Sequence, residues 1–302
     1  MEQPEKDIAI IIINYNSSEF TLNCVDSIFS HTSQKLSYQL IIVDNASKQE
    51  EVLKLKNLED NPFIQILYSK FNLGFGRGNM LGAEKAHARY LFFLNNDCVL
   101  LNDCLSILEE FCSKNPGTGM CGAQLYSEKQ ERIRSFNYLP TLAVKFIGPG
   151  FLRLFAPLRY PKRQKVYINP VKVDIVSGSG LFFNNNAFKE IGGFDPNLFF
   201  YCEEEDVGER LKEMKWDVYF IPDAKYIHFG GGSSSENFIM LKEYHISLMY
   251  FFRKHYSVVS YFFLKILYAL KLLRKSLRNR KYLPFVGFII KGAPMKYSLR
   301  YR

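Results

Sequence analysis

The stretch that most constrains the fold is "IAIIIINYN", residues 8–16. Five isoleucines and one alanine run without a polar break, which leaves no face for water. Such a strand is buried on both sides, as in a parallel sheet covered by helices. It ends in Asn14, Tyr15 and Asn16, so polar groups gather at its carboxyl end. The pattern recurs: "YQLIIVDNAS" (38–47), "IQILYS" (64–69) and "RYLFFLNND" (89–97) read as further strands. "SSEFTLNCVDSIFSHT" lies between the first two and reads as a helix capped by Ser17 or Ser18, with Phe20, Cys24, Val25 and Ile28 at helical spacing. "KQEEVLKLKNLED" is a second helix. Strands alternating with helices build βαβ units, and ligands of such sheets bind outside the carboxyl ends of the strands. "NYN", "VDNAS" and "LNND" all fall there.

A chain of 302 residues, 47% hydrophobic, can bury a full core in one large domain or one domain plus an extension. A charged fraction of 23% is ordinary and excludes global disorder. The opening "MEQPEKD" has no basic, then apolar, signal pattern, so no secretory signal is expected. Six cysteines without a C-x-x-C pair point to buried, reduced thiols in a cytosolic protein rather than to zinc. The net charge of +9 is uneven. Residues 242–302 carry 14 Lys/Arg and one acid, Glu243, whereas the first 241 carry 25 basic and 29 acidic residues. A basic tail suits an anionic membrane surface or nucleic acid. No nucleic-acid motif supports the second, so no nucleic acid is expected.

The middle of the chain is less periodic. Residues 140–170 are rich in Pro, aromatics and Lys/Arg and contain no acid; they read as a long, partly mobile loop. "VDIVSGSGLFFNN" (173–185) returns to strand character. A turn, a helix, a strand at 217–221, a short strand and a glycine-rich loop follow. "SVVSYFFLKILYALKLLRKSLRNRK" (257–281) is an aromatic helix interrupted by Lys265 and Lys271. Its apolar stretch falls short of the roughly 18–20 residues a spanning helix needs, so it suits a position on a membrane rather than across one.

Four motifs carry candidate chemistry. "NLGFGRGN" places Gly74, Gly76 and Gly78 before a helix. The spacing departs from G-x-G-x-x-G and the motif sits in the third βα unit, which argues against a dehydrogenase. "LNND" (94–97) offers oxygens that suit a hard divalent cation. His228 follows a strand and precedes glycines that let backbone approach a phosphate. "YCEEEDVGERL" (201–211) sets four carboxylates side by side, and helical spacing separates them. Glu204 shares the inward stripe of Val207, Gly208 and Leu211. Glu205 shares a stripe with Glu209 and Lys212, read as solvated. Asp206 is four before Arg210, an ion-pair spacing. Glu203 stands at the helix start, where anions are favoured.

In their order, "IIINYN", "VDNAS", "NLGFGRGN", "LNND", "SGSGLFF…KEIGGFDPNLFFYCEEEDVGERL" and "HFGGGSS" resemble the family 2 glycosyltransferases, especially the rhamnosyltransferase-like members. The resemblance covers about the first 235 residues. It implies a GT-A α/β fold, Rossmann-like, with a mostly parallel central sheet flanked by helices. The catalytic domain would span 1–241, with a nucleotide-sugar half to about 120 and an acceptor half after it, and 242–302 would be a basic helical extension. By position, Asn14, Tyr15, Asn16, Asp44 and Asn45 would contact base and ribose, and Asn72, Gly74, Asn79 and Asn96 would line the nucleotide cleft. Asn95 and Asp97 stand at the family's D-x-D metal motif, and His228 where many members place a metal-binding histidine. Gly178, Ser179, Gly180 and Asp206 would build the acceptor side. Glu204, or Glu203 beside it, stands at the catalytic base. Two positions depart from the family pattern: Asn95 replaces the first Asp of the metal motif, and Glu replaces Asp as base.

The implied reaction is inverting transfer of a sugar from a nucleotide-diphosphate sugar, dTDP-rhamnose or UDP-hexose, to a saccharide or lipid-linked acceptor in cell-surface polysaccharide synthesis. It would use Mn2+ or Mg2+, in the cytoplasm, with the tail holding the enzyme on the inner face of the membrane. The second reading keeps the fold without activity, as a nucleotide-sugar-binding or scaffold protein.

Overall fold

In the computed structural model, residues 5–230 and 238–301 are described. The isoleucine run forms β1 (Lys6–Asn14), which lies inside the sheet between β2 (Tyr38–Asp44) and β4 (Ala88–Asn95), parallel to both. β3 (Ile64–Tyr68) extends this parallel half beyond β2. Beyond β4 come β10 (Gly180–Asn184), β6 (Thr118–Tyr126), β11 (Asp217–His228) and β5 (Cys98–Leu100), and β8 (Val171–Lys172) pairs with β11. β10 runs antiparallel to β4 and β6, whereas β11 is parallel to β6. A small ladder joins β7 (Phe136–Asn137) to β9 (Ile175–Val176).

Alternate residues of β1 supply two separate cores. Ile8, Ile10 and Ile12 pack with α1 (Ser18–His31) and α4 (Cys104–Lys114); Ala9 and Ile11 pack in the core that holds α7 (Asn185–Glu190) and α8 (Glu203–Glu213). This is the two-sided burial that the unbroken run demanded. α2 (Gln49–Leu55) follows β2 in the chain. The glycine-rich motif forms the first turns of α3 (Gly74–Ala83) itself. Gly74 has φ +76, and a Cβ there would lie 2.3 Å from the Phe199 carbonyl oxygen. All six cysteines are buried and free of disulfides.

Three expectations need correction. Residues 140–170, read as a long mobile loop, contain α5 (Leu142–Phe146) and α6 (Pro149–Phe155), capped by the Thr141 hydroxyl and opened by a proline. Helices this short carry too few turns to show a period in the sequence. The strand at 217–221 and the short one after it are a single strand, β11, with a register shift between Ile221 and Lys225. The boundary at residue 241 falls inside α9 (Phe238–His255).

α9, α10 (Val258–Arg278) and α11 (Leu283–Ile290) form a third core that includes Leu198 and Cys202 of the catalytic part. Polar bonds reinforce the joint. Lys254 Nζ donates to Asp195 at 2.7 Å and to Asp206 at 2.6 Å, and His255 Nε2 lies 2.7 Å from Asp206. Among the described residues, no helix is long and apolar enough to cross a membrane.

Candidate active site

A cleft of about 730 Å3 opens at the carboxyl ends of β1, β2 and β4. Tyr15, Asn45, Asn72, Gly74, Asn79, Asn95, Asn96 and Asp97 line it. Phe75, Phe199 and Phe200 supply aromatic walls. Met240 and Leu299 also line it, so the C-terminal helical part completes a wall of the cleft. Motif reasoning missed both residues, because nothing local in the sequence ties position 299 to position 15.

Two of the residues expected to contact base and ribose, Asn14 and Asp44, lie behind this surface, and Asn16 is exposed outside the lining. Asn14 is fully buried; its Nδ2 donates to Asp44, Ser18 and Ser47, and its Oδ1 accepts from Thr21. Asp44 is also buried, accepting from Asn14 Nδ2 and from the Ser47 backbone N–H. Asn16 has φ 52 and accepts from the Lys48 N–H, bracing the ends of β1 and β2. These side chains shape the rim that the lining residues present. Asn45 reaches the cleft and holds the α3 motif in place, donating to Asn72 Oδ1 and the Gly74 carbonyl and accepting from Leu73 N–H. Asn96 donates to the Ser17 and Thr21 hydroxyls, which fastens the metal motif to α1.

Beyond Asn96, β5 pairs with the end of β11, setting His228 opposite Cys98. His228 Nε2 comes 3.4 Å from Asp97 Oδ1, and Cys98 Sγ completes a group whose ligand atoms lie within 4.8 Å of one another. A carboxylate and an imidazole beside the cleft could hold a divalent cation. Cys98 is a poor third ligand: burial raises its thiol pKa well above the ordinary value, and Sγ points to the Ser179 carbonyl at 3.6 Å. The glycine-rich loop after His228 lies outside the described residues from 231 onward.

The turn at 178–180, expected on the acceptor side, abuts the same strand end. Asn95 N–H donates to the Ser179 carbonyl at 2.9 Å, and Gly180 pairs with Leu94. Ser179 Oγ is within 3.1 Å of the Tyr226 hydroxyl, and a Cβ on Gly180 would lie 2.4 Å from that hydroxyl oxygen. Gly178 faces the carboxylate run: a Cβ there would sit 3.3 Å from the Glu204 carboxyl carbon.

The helix start that aims these carboxylates is strained. Tyr201 and Cys202, neither a glycine, have φ of 73 and 68 in succession. Left-handed non-glycine residues cost about 1–3 kcal/mol each and concentrate at functional sites. The C-terminal part holds the turn: Ser247 Oγ donates to the Phe200 carbonyl, and Tyr244 packs edge-on against Tyr201 at 5.7 Å.

The four carboxylates are unequal. Glu204 is half-buried against Gly178, and burial raises its pKa. Glu205, expected on a solvated face, is also half-buried. Burial, then the charge of Glu204, pushes its pKa up to about 8. Glu209 of the same stripe is buried, which corrects the solvated-face reading. Glu203 is buried, and burial with the neighbouring Glu204 charge raises its pKa well above normal. Asp206, expected on the acceptor side, gives both oxygens to Arg210, Lys254 and His255. Burial alone would raise its pKa; the His255 hydrogen bond and the Arg210 and Lys254 charges outweigh this and hold it at about 2. It is a fastening between α8 and α9.

The profile of glycosyl transferase family 2 matches residues 9–192. The chain belongs to glycosyl transferase family 2. Among curated relatives, N-acetylglucosaminyl-diphospho-decaprenol L-rhamnosyltransferase of Mycobacterium tuberculosis is 22% identical over 245 residues, covering 76% of this chain and 78% of that one. The O-antigen chain rhamnosyltransferase RfbN of Salmonella typhimurium is 24% identical over 238 residues, 76% of this chain and 69% of that one. Rhamnosyltransferase WbbL of Escherichia coli is 22% identical over 248 residues, 79% and 89% respectively. Two solved structures share the fold. GalNAc-T7 with UDP, GalNAc and Mn2+ aligns at a TM-score of 0.59 and 16% identity, over 82% of this chain but 48% of that one. The mannosyltransferase PcManGT of Pyrobaculum calidifontis, with GDP-Man and Mn2+, aligns at 0.57 and 14% identity, over 96% of this chain and 76% of that one. The fold is therefore GT-A, and this family 2 member is a transferase enzyme.

Proposed function

We propose that this glycosyltransferase moves a sugar, with inversion, from a nucleoside-diphosphate sugar to a saccharide on a lipid-linked carrier during cell-surface polysaccharide synthesis. dTDP-rhamnose is the donor favoured by the three rhamnosyltransferase relatives, and a UDP-hexose is the other. The observation that carries the reading is the meeting of two pairs across one hydrogen bond. Asp97 and His228 stand on one side of the Asn95–Ser179 bond, and Gly178 and Glu204 on the other.

Departure of a nucleoside diphosphate leaves negative charge on its phosphates. A divalent cation, Mn2+ or Mg2+, held by Asp97 and His228 would neutralise that charge. Glu204 takes the proton of the acceptor hydroxyl as its oxygen attacks the anomeric carbon. Its raised pKa makes it a stronger base than an exposed carboxylate. One base and one direct attack give a single displacement, hence inversion. Tyr15 and the phenylalanine walls exclude water from the donor.

The decisive experiment is transfer from dTDP-rhamnose and UDP-glucose with Glu204→Gln and Glu203→Gln. Glu204→Gln is expected to lose transfer while nucleotide with Mn2+ still raises its Tm. Full turnover in Glu204→Gln together with loss in Glu203→Gln reassigns the base. EDTA is expected to stop transfer, and Mn2+ or Mg2+ to restore it.

The same reading places the enzyme on the inner face of the membrane. α10 exposes Val259, Phe262, Phe263, Ile266, Leu270 and Leu277 along one stripe flanked by cations. An apolar stripe with basic flanks lies in the plane of an anionic surface. Because α9 fastens the catalytic turn, the test is Phe262→Glu with Leu270→Glu in the full chain. That variant is expected to lose co-sedimentation with anionic liposomes; undiminished binding would count against the stripe.

A further inference from the structure

A second cavity, of about 590 Å3, lies on the acceptor half away from the donor cleft. Arg134, Arg153, Lys162, Arg163, Gln164 and Lys165 line it, and no acidic residue does. None of its five cations forms an ion pair among the described residues. Surface arginines commonly find carboxylates; here, neutral groups hold them in place. Arg153 Nε donates to the Tyr160 carbonyl at 2.6 Å, and its other arm to the Tyr138 hydroxyl at 3.1 Å. Arg163 donates to Asn137 Oδ1 at 2.6 Å and lies 5.1 Å from the centre of the Tyr138 ring. Burial, then the charges of Arg134 and Arg153, lowers the pKa of Arg163, the mark of converging positive charge without a counterion. The structure holds these guanidinium groups together against their repulsion and supplies no anion of its own.

The position of the cavity relates it to the reaction. Ser177 N–H donates to the Ser135 carbonyl in the β7–β9 ladder. The next residues on from that bond are Arg134 on one strand and Gly178, which faces Glu204, on the other. The other flank is apolar: α6 and the turn after it expose Phe151, Leu154, Phe155 and Leu158 around Arg153.

We infer that this cavity binds the diphosphate of a lipid-linked saccharide acceptor, with Arg134, Arg153 and Arg163 gripping the phosphates and the α6 apolar face meeting the lipid. The inference deepens the proposed function and rests on its assignment of the acceptor side. Arginine forks match phosphate oxygens in pairs and form strong charge-assisted bonds. With its diphosphate at Arg134, the acceptor's sugar extends past Gly178 towards Glu204. Specificity for the acceptor then comes from the anionic linkage as well as from the sugar.

The probe is farnesyl diphosphate, titrated calorimetrically in EDTA, with farnesol and inorganic pyrophosphate as the separating arms. Farnesyl diphosphate is expected to bind the wild type at least tenfold more tightly than either arm. Arg134→Gln with Arg163→Gln is expected to weaken it at least tenfold; the exposed pair Lys162→Gln with Lys165→Gln, which leaves the buried contacts intact, by about threefold. Asp97→Asn is expected to keep farnesyl diphosphate binding and lose the thermal shift given by UDP or dTDP with Mn2+. Unchanged affinity in both cavity variants overturns the inference, as does equal binding of farnesol. Equal binding of pyrophosphate would make this a free-phosphate site and also overturns it. Absence of any nucleotide shift in the wild type strikes the proposed function instead, which keeps the two failures apart.

Discussion

The proposed donor rim and the proposed acceptor side of this enzyme treat polar groups in opposite ways. On the donor rim, Asn14, Asp44, Ser47 and Thr21 bond one another, and Asn45 bonds Asn72 and the backbone of the α3 motif. On the acceptor side, Glu203 and Glu205 each keep a buried oxygen without a hydrogen-bond partner, and the arginines of the basic cavity keep uncompensated charge. Buried polar groups are normally satisfied, and those that are not mark strain or function. Saturated groups fix the shape of a cleft; unsaturated ones are set for chemistry and anionic ligands.

This contrast is exposed to test, beginning with the largest effect. Glu204→Gln should lower kcat by about 10²–10⁴ at unchanged Tm, the ordinary contribution of a general base. Glu205→Gln should retain transfer; an equal loss in both would erase the distinction within the run. Next, Asp206→Asn should cost about 3–5 kcal/mol in denaturant unfolding, because Arg210, Lys254 and His255 lose their shared counterion. Its depressed pKa gives stability that is present above the unfolded carboxylate range and lost as pH falls from about 4 towards 2, a loss the variant should not show.

Asn14→Ala should cost about 1–3 kcal/mol by leaving Asp44 Oδ1 buried without its donor. Its KM for donor should change more than its kcat, which steady-state kinetics would show. The smallest effect has the opposite sign. Glu203 and Glu205 have raised pKa values, so the folded chain holds protons that the unfolded chain releases. Stability should therefore fall as pH rises from about 4.5 towards 8. Glu203→Gln should flatten that slope in a Tm-against-pH series; an unchanged slope would mean that Glu203 is already satisfied.

The sequence made the donor half readable because its information is local. A run such as "IIIIN" declares both a two-sided strand and its polar end, and "LNND" sits where β4 stops. Helical spacing in "YCEEEDVGERL" rightly paired Asp206 with Arg210. It could not reveal that Lys254 and His255 converge on the same carboxylate, since that contact spans nearly fifty residues. Nor could it show Glu209 turned inward, because the helix lies between two packed layers rather than on a free surface. In 140–170 the absence of any acid was visible, but its meaning came only when Arg134, Arg153 and Arg163 were seen around one cavity.

Leu299 stands in the wall of the donor cleft, close to the last residue described. During synthesis the βαβ units emerge first and can fold as they leave the ribosome, N-terminal parts leading. Their cleft still lacks one side. Nascent chains would hold a nucleotide sugar loosely until the C-terminal helices have docked.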